Sequence, residues 1–407
     1  MKRTIASRTG YLLLGVGCLV ILSAQPAAAA DFYLKASAYD LTLPDTTVVR
    51  MWGFASCNST FLTCGQPSSP GPTLQIPDSE PAPTVLNIQV KNELPASVSL
   101  VIPAQLAPLT PVKFTDATGR IRTAALTAET APGAVGVYTW PSFRPGTFLY
   151  HSGSQPQVQV QMGLLGAITY NAGVGQAYSG VGYDSDVLLV YSEIDPVLHA
   201  AVANLTYGTA AYPSTFDYKP TYFLVNGLPY AAGQTPLTAG IANTRVLVRL
   251  VNGGLLHRAP QILGAYLSFV AENGQPYPYP SQRYGTLLPA GGTMDALFLP
   301  SDARAYPLYD RMLHLTSNQV TGGGAYAFLA VTATKSGPGV GAQAPVAGKG
   351  AVTTRGAKPV RITKVGLGRT SPSARAAVRV NNTKPEPRQP RLVDPAVMPR
   401  MPESVGK

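Results

Sequence analysis

Histidine is the side chain best placed to ligate a metal or exchange a proton near neutral pH. This chain has four in 407 residues: His151, His199, His257 and His314. His151 closes an apolar run, Thr147–Tyr150. His199 sits on a short alanine-flanked helix, exposed or packing. His257 follows Leu255-Leu256 and precedes Arg258, as a loop residue would. His314 alternates with Leu313 and Leu315 and is expected to point away from the core. Of three cysteines, Cys57 and Cys64 lie close in sequence beyond an export leader, the pattern of a disulfide; a paired thiol metal site is the alternative. Carboxylates are sparse and show no evident pairing. There is no phosphate-cradling glycine loop and no nucleophile elbow.

The segments that must position these residues read as short strands. Charged residues are only 13%, and 40 glycines and 38 prolines supply turns. Pro145-Gly146 is a turn, Thr147–Tyr150 a buried strand ending on His151, and Gln155–Gln161 a polar crossing. Gly163-Leu164-Leu165-Gly166 then leads into a strand at Ala167–Tyr170. Between Thr84 and Leu94, Leu86, Ile88 and Val90 alternate with Asn87, Gln89 and Lys91, a period of two with one buried face. Leu247–Asn252 repeats that pattern, and Asn92 and Asn252 both end their strands, so the chain reads as a duplicated domain. Asp195-Pro196 opens a short helix, with aspartate as N-cap and proline at the first helical position. Pro276–Pro280, PYPYP, reads as an exposed aromatic loop. Asn171–Ser185 reads as a link between two all-β units.

The ends differ from this body. Lys2, Arg3 and Arg8, the apolar stretch Tyr11–Leu22 and Ala27–Ala30 form a signal peptide over residues 1–30, with cleavage before Asp31. Twelve apolar residues are too few for a comfortable span. Residues 335–407 are rich in Gly, Ala, Pro and basic residues without periodicity, a composition that cannot bury enough apolar area to order itself. The formal charge of +11 belongs to these ends: residues 31–334 hold 14 basic and 17 acidic residues, a net of −3. The tail is a flexible polycation suited to anionic polysaccharide, lipopolysaccharide or an acidic envelope protein. Nucleic acid is not an expected partner of an exported chain.

Tyr150-His151-Ser152-Gly153, running into Gly163-Leu164-Leu165-Gly166-Ala167, resembles the close of a first multicopper-oxidase domain, where "YHSH" precedes "GLxGAL". Phe223–Gly227 and Phe269–Gly274 resemble the same family. The resemblance implies an all-β fold of two cupredoxin-like Greek-key β-sandwich or barrel domains, at residues 31–175 and 183–334, followed by a disordered basic C-terminal tail at 335–407. It also implies copper, but the ligand pattern is degenerate. The second histidine of "YHSH" falls on Gly153. The family's "SLHWHG" corresponds to Ser99–Ala104, where its two histidines are Val101 and Pro103. The C-terminal copper motifs have no counterpart, and four histidines cannot supply the eight of the family's three-copper cluster. His151 reads as a core histidine at a strand end; the alternative is a residual metal ligand, where pairing with Met162 would suit Cu(I).

These readings predict an exported protein of the periplasm, outer surface or medium that has lost its copper sites. It would act in binding or assembly, or as an accessory or subunit of a redox complex, and could form a homo-oligomer. No cofactor is expected unless the family's activity survives, in which case it is copper. The alternative is a copper-dependent oxidoreductase whose site is reduced or shared with a partner.

Overall fold

The computed structural model describes residues 29–333 except Gln319; residues 1–28 of the leader and the basic tail lie outside the described residues, whereas Ala29 and Ala30, read as the leader's last residues, begin the first strand. The first half is built on a four-stranded sheet in the order Val48–Ser56, Ala29–Thr42, Thr84–Asn92, Val135–Phe143. The two central strands run parallel, Ala30 against Leu86 and Ala36 against Asn92, and the outer strands are antiparallel to them. A smaller sheet joins Leu74–Gln75, Leu165–Tyr170 and Gly146–His151. The alternation read from Thr84 to Asn92 is strict: Leu86, Ile88 and Val90 are fully buried and meet Phe148, Tyr150, Ile168 and Tyr170 in one apolar core. Two sheets with facing apolar sides make a sandwich, because each has one face that must leave water.

The second half repeats the plan. Ser185–Ile194 runs parallel to Val246–Asn252, and Thr293–Phe298 pairs antiparallel on the other side. These strands centre an eight-stranded sheet, which shares a core with the four-stranded sheet Leu237–Ile241, Tyr326–Thr332, Ala305–Asp310, Pro260–Ile262. Asn92 and Asn252 have matching roles. The Asn92 amide donates to the Ala96 and Thr130 carbonyls, and its oxygen accepts from the Leu94 amide. The Asn252 amide donates to the Leu256, Leu288 and Pro289 carbonyls, and its oxygen accepts from the Gly254 amide. Each asparagine thus ties the turn after its strand to the loop before that strand's antiparallel partner, Val135–Phe143 or Thr293–Phe298. The duplication read from the sequence is present at the level of individual hydrogen bonds.

Two expectations need correction. Pro276–Pro280 is not a loop: it lies within the strand Gln275–Arg283 at the edge of the eight-stranded sheet, where proline's missing N–H faces no neighbour. The segment Asn171–Ser185 is not a plain link. It holds a hairpin, Gln176–Tyr178 with Val181–Gly182, whose Ala177 and Tyr178 pack on Leu247 and Ala271. The crossing Gln155–Gln161 contains a four-residue helix, Pro156–Gln159. Leu149, Leu165 and Ala167 of the first half also pack directly on Val190 and Val251 of the second.

Candidate functional site

His151 ends the strand Gly146–His151, and its backbone forms an isolated antiparallel bridge with Val101. Val101, Ile102 and Ser99 are buried, whereas Pro103 is exposed. Gly153 lies two residues on; a Cβ there would meet Ser99 Oγ at 2.9 Å, Val101 Cγ1 at 3.0 Å and Leu126 Cβ at 3.4 Å. The fold therefore gathers Val101, His151 and Gly153 into one place. The His151 Nδ1 lies 2.8 Å from the Ser152 carbonyl. A carbonyl only accepts, so Nδ1 carries the proton and Nε2 keeps the lone pair. Burial holds the imidazole below its usual pKa, partly offset by that carbonyl.

Beneath this spot lies a neutral polar network. Ser152 Oγ donates to Gln159 Oε1 at 2.6 Å, Gln159 Nε2 donates to the Ser97 carbonyl at 2.8 Å, and Ser154 Oγ donates to Ser99 Oγ at 3.1 Å. Ser99, Ser152, Ser154 and Gln159 are all buried. Hydroxyls and amides satisfied by one another hold a loop in register without charge. Met162 is fully buried in the apolar core with Val158 and Leu164.

The other histidines have different hydrogen-bond partners. His199, expected to be exposed or packing, is fully buried on the helix Pro196–Ala203 and donates from Nδ1 to the Arg50 carbonyl at 2.8 Å. Asp195 caps that helix as expected, accepting from the Val197 amide. His257 accepts from the Ala290 amide. His314 does not turn away from the protein: its ring stacks 4.5 Å from Phe223, and its Nδ1 lies 2.7 Å from Asp310 Oδ2 and 2.8 Å from an Arg258 nitrogen. Cys57 and Cys64 form the expected disulfide, closing the loop that Asn58 Oδ1 organises by accepting from the Leu62 and Thr63 amides.

Two buried charge clusters were not read from the sequence, which gave the carboxylates no partners. Arg258, fully buried, pairs with Glu193 and reaches Asp310 at 3.5 Å. Glu193 also accepts from the Leu255 and Leu256 amides. Burial alone would raise the Asp310 carboxyl, but His314, the Ala259 and Met312 amides and the Arg258 charge hold it below the usual range. In the second cluster Arg249 donates to Asp186, Thr147 and Asn171, while Asp295 accepts from Thr147 at 2.7 Å and Tyr178 at 2.5 Å. This cluster bridges the two halves. The available cue was an ionisable residue inside an apolar strand, Arg249 within Leu247–Val251 and Glu193 within Val190–Ile194, since such residues are rarely buried without partners.

No known family profile matches the sequence, and no curated protein matches it. Solved structures do. The multicopper oxidase mgLAC shares 15% identity with a TM-score of 0.58, covering 75% of this chain and 86% of its own. A blue copper oxidase from Nitrosomonas europaea shares 14% with a TM-score of 0.57 over the same shares of the two chains. A copper nitrite reductase from the same organism shares 17% with a TM-score of 0.53, covering 75% of this chain and 94% of its own. The fold is cupredoxin-like, shared with multicopper oxidases and a copper nitrite reductase alike. At these identities the likeness is one of cupredoxin-like architecture.

The residues at hand do not fit a copper cluster. A copper site draws on imidazole, thiolate or thioether donors. On this cupredoxin-like fold, the positions beside His151 carry an isopropyl group at Val101 and no side chain at Gly153, and the nearest polar atoms belong to the satisfied Ser/Gln network. Among the described residues no group of three or more His, Cys, Asp or Glu is arranged to hold a metal ion.

Proposed function

We propose that this protein is an exported, multicopper-oxidase-like chain that does no copper chemistry of its own and serves in binding or assembly at the cell envelope, or as an accessory of a redox complex there. The observation that carries the reading is the convergence of Val101 and Gly153 on His151. The neighbouring positions of one site hold groups that cannot donate to a metal, and their space is filled by packing. Retention of both sandwich halves supports a scaffold role: the interface between them is apolar and crossed by a charged cluster. Export rests on the leader composition of residues 1–30. The basic residues of 335–407 would add electrostatic attachment to anionic polysaccharide, lipopolysaccharide or an acidic envelope protein.

The test is metal analysis of the full exported chain, loaded with copper and dialysed, together with oxygen uptake on phenolic substrates and Mn(II). The expected result is copper far below one ion per chain and no turnover. Stoichiometric copper with oxygen-dependent turnover would overturn the reading in favour of a reduced or partner-shared copper site. Fractionation and cross-linking of cells expressing the full chain, against one lacking residues 335–407, tests the envelope role. Recovery of both forms only in the cytoplasm would refute it.

A further inference from the structure

Residues 31–334 carry a small net negative charge, and most of their arginines are neutralised. Among the ten arginines of the described residues, seven form an ion pair with a carboxylate: Arg50, Arg120, Arg122, Arg245, Arg249, Arg258 and Arg304. Arg144 instead reaches the Ala104 carbonyl. The remaining two, Arg283 and Arg311, come from different strand ends yet line one cavity of about 500 Å³. Its other walls are Ala259, Gly285, Thr286, Leu287 and Met312, and no acidic residue is among them.

Arg283 is anchored through its side chain and Arg311 through its backbone. Arg283 lies over the Phe269 ring at 5.9 Å and donates from Nε to Ser281 Oγ at 2.9 Å. Arg311 lies over the Tyr284 ring at 5.9 Å, and its amide donates to the Ala259 carbonyl at 2.9 Å. Asp310, the carboxylate next in sequence to Arg311, is fully buried and engaged by Arg258, His314 and two backbone amides. Leu287 and Met312 are more than half exposed at the rim, so the cavity offers apolar wall beside positive charge. The volume falls in the range of small-molecule sites, which run from about 300 to 1,000 Å³. Planar guanidinium groups suit carboxylate and phosphate oxygens.

We propose that this cavity binds a small organic oxyanion, a carboxylate or phosphate monoester, with its apolar body against Leu287 and Met312 and its charge between Arg283 and Arg311. The site is independent of the place around His151 and of the function proposed above. Titrations of the full chain with benzoate and phenyl phosphate, by calorimetry or saturation-transfer NMR, test it. Benzyl alcohol serves as the neutral control and inorganic phosphate as the anion without an apolar body. At least one of the two organic anions is expected to bind saturably with Kd below about 1 mM. Arg283→Gln and Arg311→Gln should each weaken it by about tenfold, the loss of one charge-assisted hydrogen bond. Arg245→Gln, which removes the same charge elsewhere, should leave it unchanged. Both cavity arginines are exposed, so the variants should keep the parent melting temperature. The proposal fails if neither organic anion saturates, if benzyl alcohol or inorganic phosphate binds as tightly as they do, or if the double variant binds like the parent.

Discussion

Val101 and His151 exchange both backbone hydrogen bonds, each N–H donating to the other's carbonyl at 3.0 Å. The imidazole is therefore fixed beside an apolar side chain, and Val101 also occupies the space a side chain on Gly153 would need. Placing a histidine at residue 153 alone is expected to destabilise the protein by about 1–3 kcal/mol through overpacking, with no gain in copper affinity. Gly153→His combined with Val101→Ala should recover part of that loss. Urea unfolding and copper titration of the single and double variants check both points, and an unchanged unfolding midpoint for the single variant would count against the packing argument.

Burial lowers the pKa of His199 and His151 from the usual 6.5. The sign follows directly. In the unfolded chain these imidazoles take up protons first, so the stability from holding them neutral is present above pH 6.5 and is lost as pH falls through the folded values. Each group contributes at most about 1.4 kcal/mol per pH unit of slope. Melting temperatures measured from pH 8 to pH 5 should fall toward acid. His199→Gln should fall less steeply, even if it starts lower for want of the Arg50 carbonyl bond.

Replacing Arg258 with methionine removes the cation shared by Glu193 and Asp310, both fully buried. Leaving those carboxylates uncompensated is expected to cost about 3–5 kcal/mol. Glu193→Gln keeps Arg258 paired with Asp310 and should cost less. Denaturant midpoints rank the two variants, and the reverse ranking would show that turning an amide NH2 toward Arg258 costs more than losing the cation, since Gln Oε1 can keep both backbone bonds.

Asn92→Ala and Asn252→Ala break equivalent knots in the two halves, each leaving buried carbonyl and amide groups without a partner. A loss of about 1–3 kcal/mol is expected for each. The two share no hydrogen-bond partners, so their effects should add. A double variant measured by urea unfolding checks the sum.

Much of this molecule is written in local pattern. The period-two alternation of Leu86, Ile88 and Val90 specifies a strand with one buried face, and Asp195-Pro196 specifies a helix start, because each depends on neighbours a few residues away. The side chains at Val101, Pro103 and Gly153 offer no donor atom whatever the fold, and that is likewise a matter of residue identity. The repetition of Asn92 as Asn252 announced the duplication.

What the chain's order could not reveal depends on residues far apart in it. Arg258 meets Glu193 from 65 residues away, and Asp295 meets Thr147 across 148. A charge inside an apolar strand signals that a partner is needed without saying which. PYPYP became a strand because it lies at a sheet edge, a position that only the pairing of Gln275–Arg283 with Leu267–Glu272 defines. Arg283 and Arg311 are ordinary surface arginines in the sequence. Only the packing that brings them to one cavity, while the nearby Asp310 is consumed elsewhere, sets them apart. Local composition fixes backbone conformation because its forces act over a few residues, whereas electrostatic pairing and cavity shape follow from which strands the fold lays side by side.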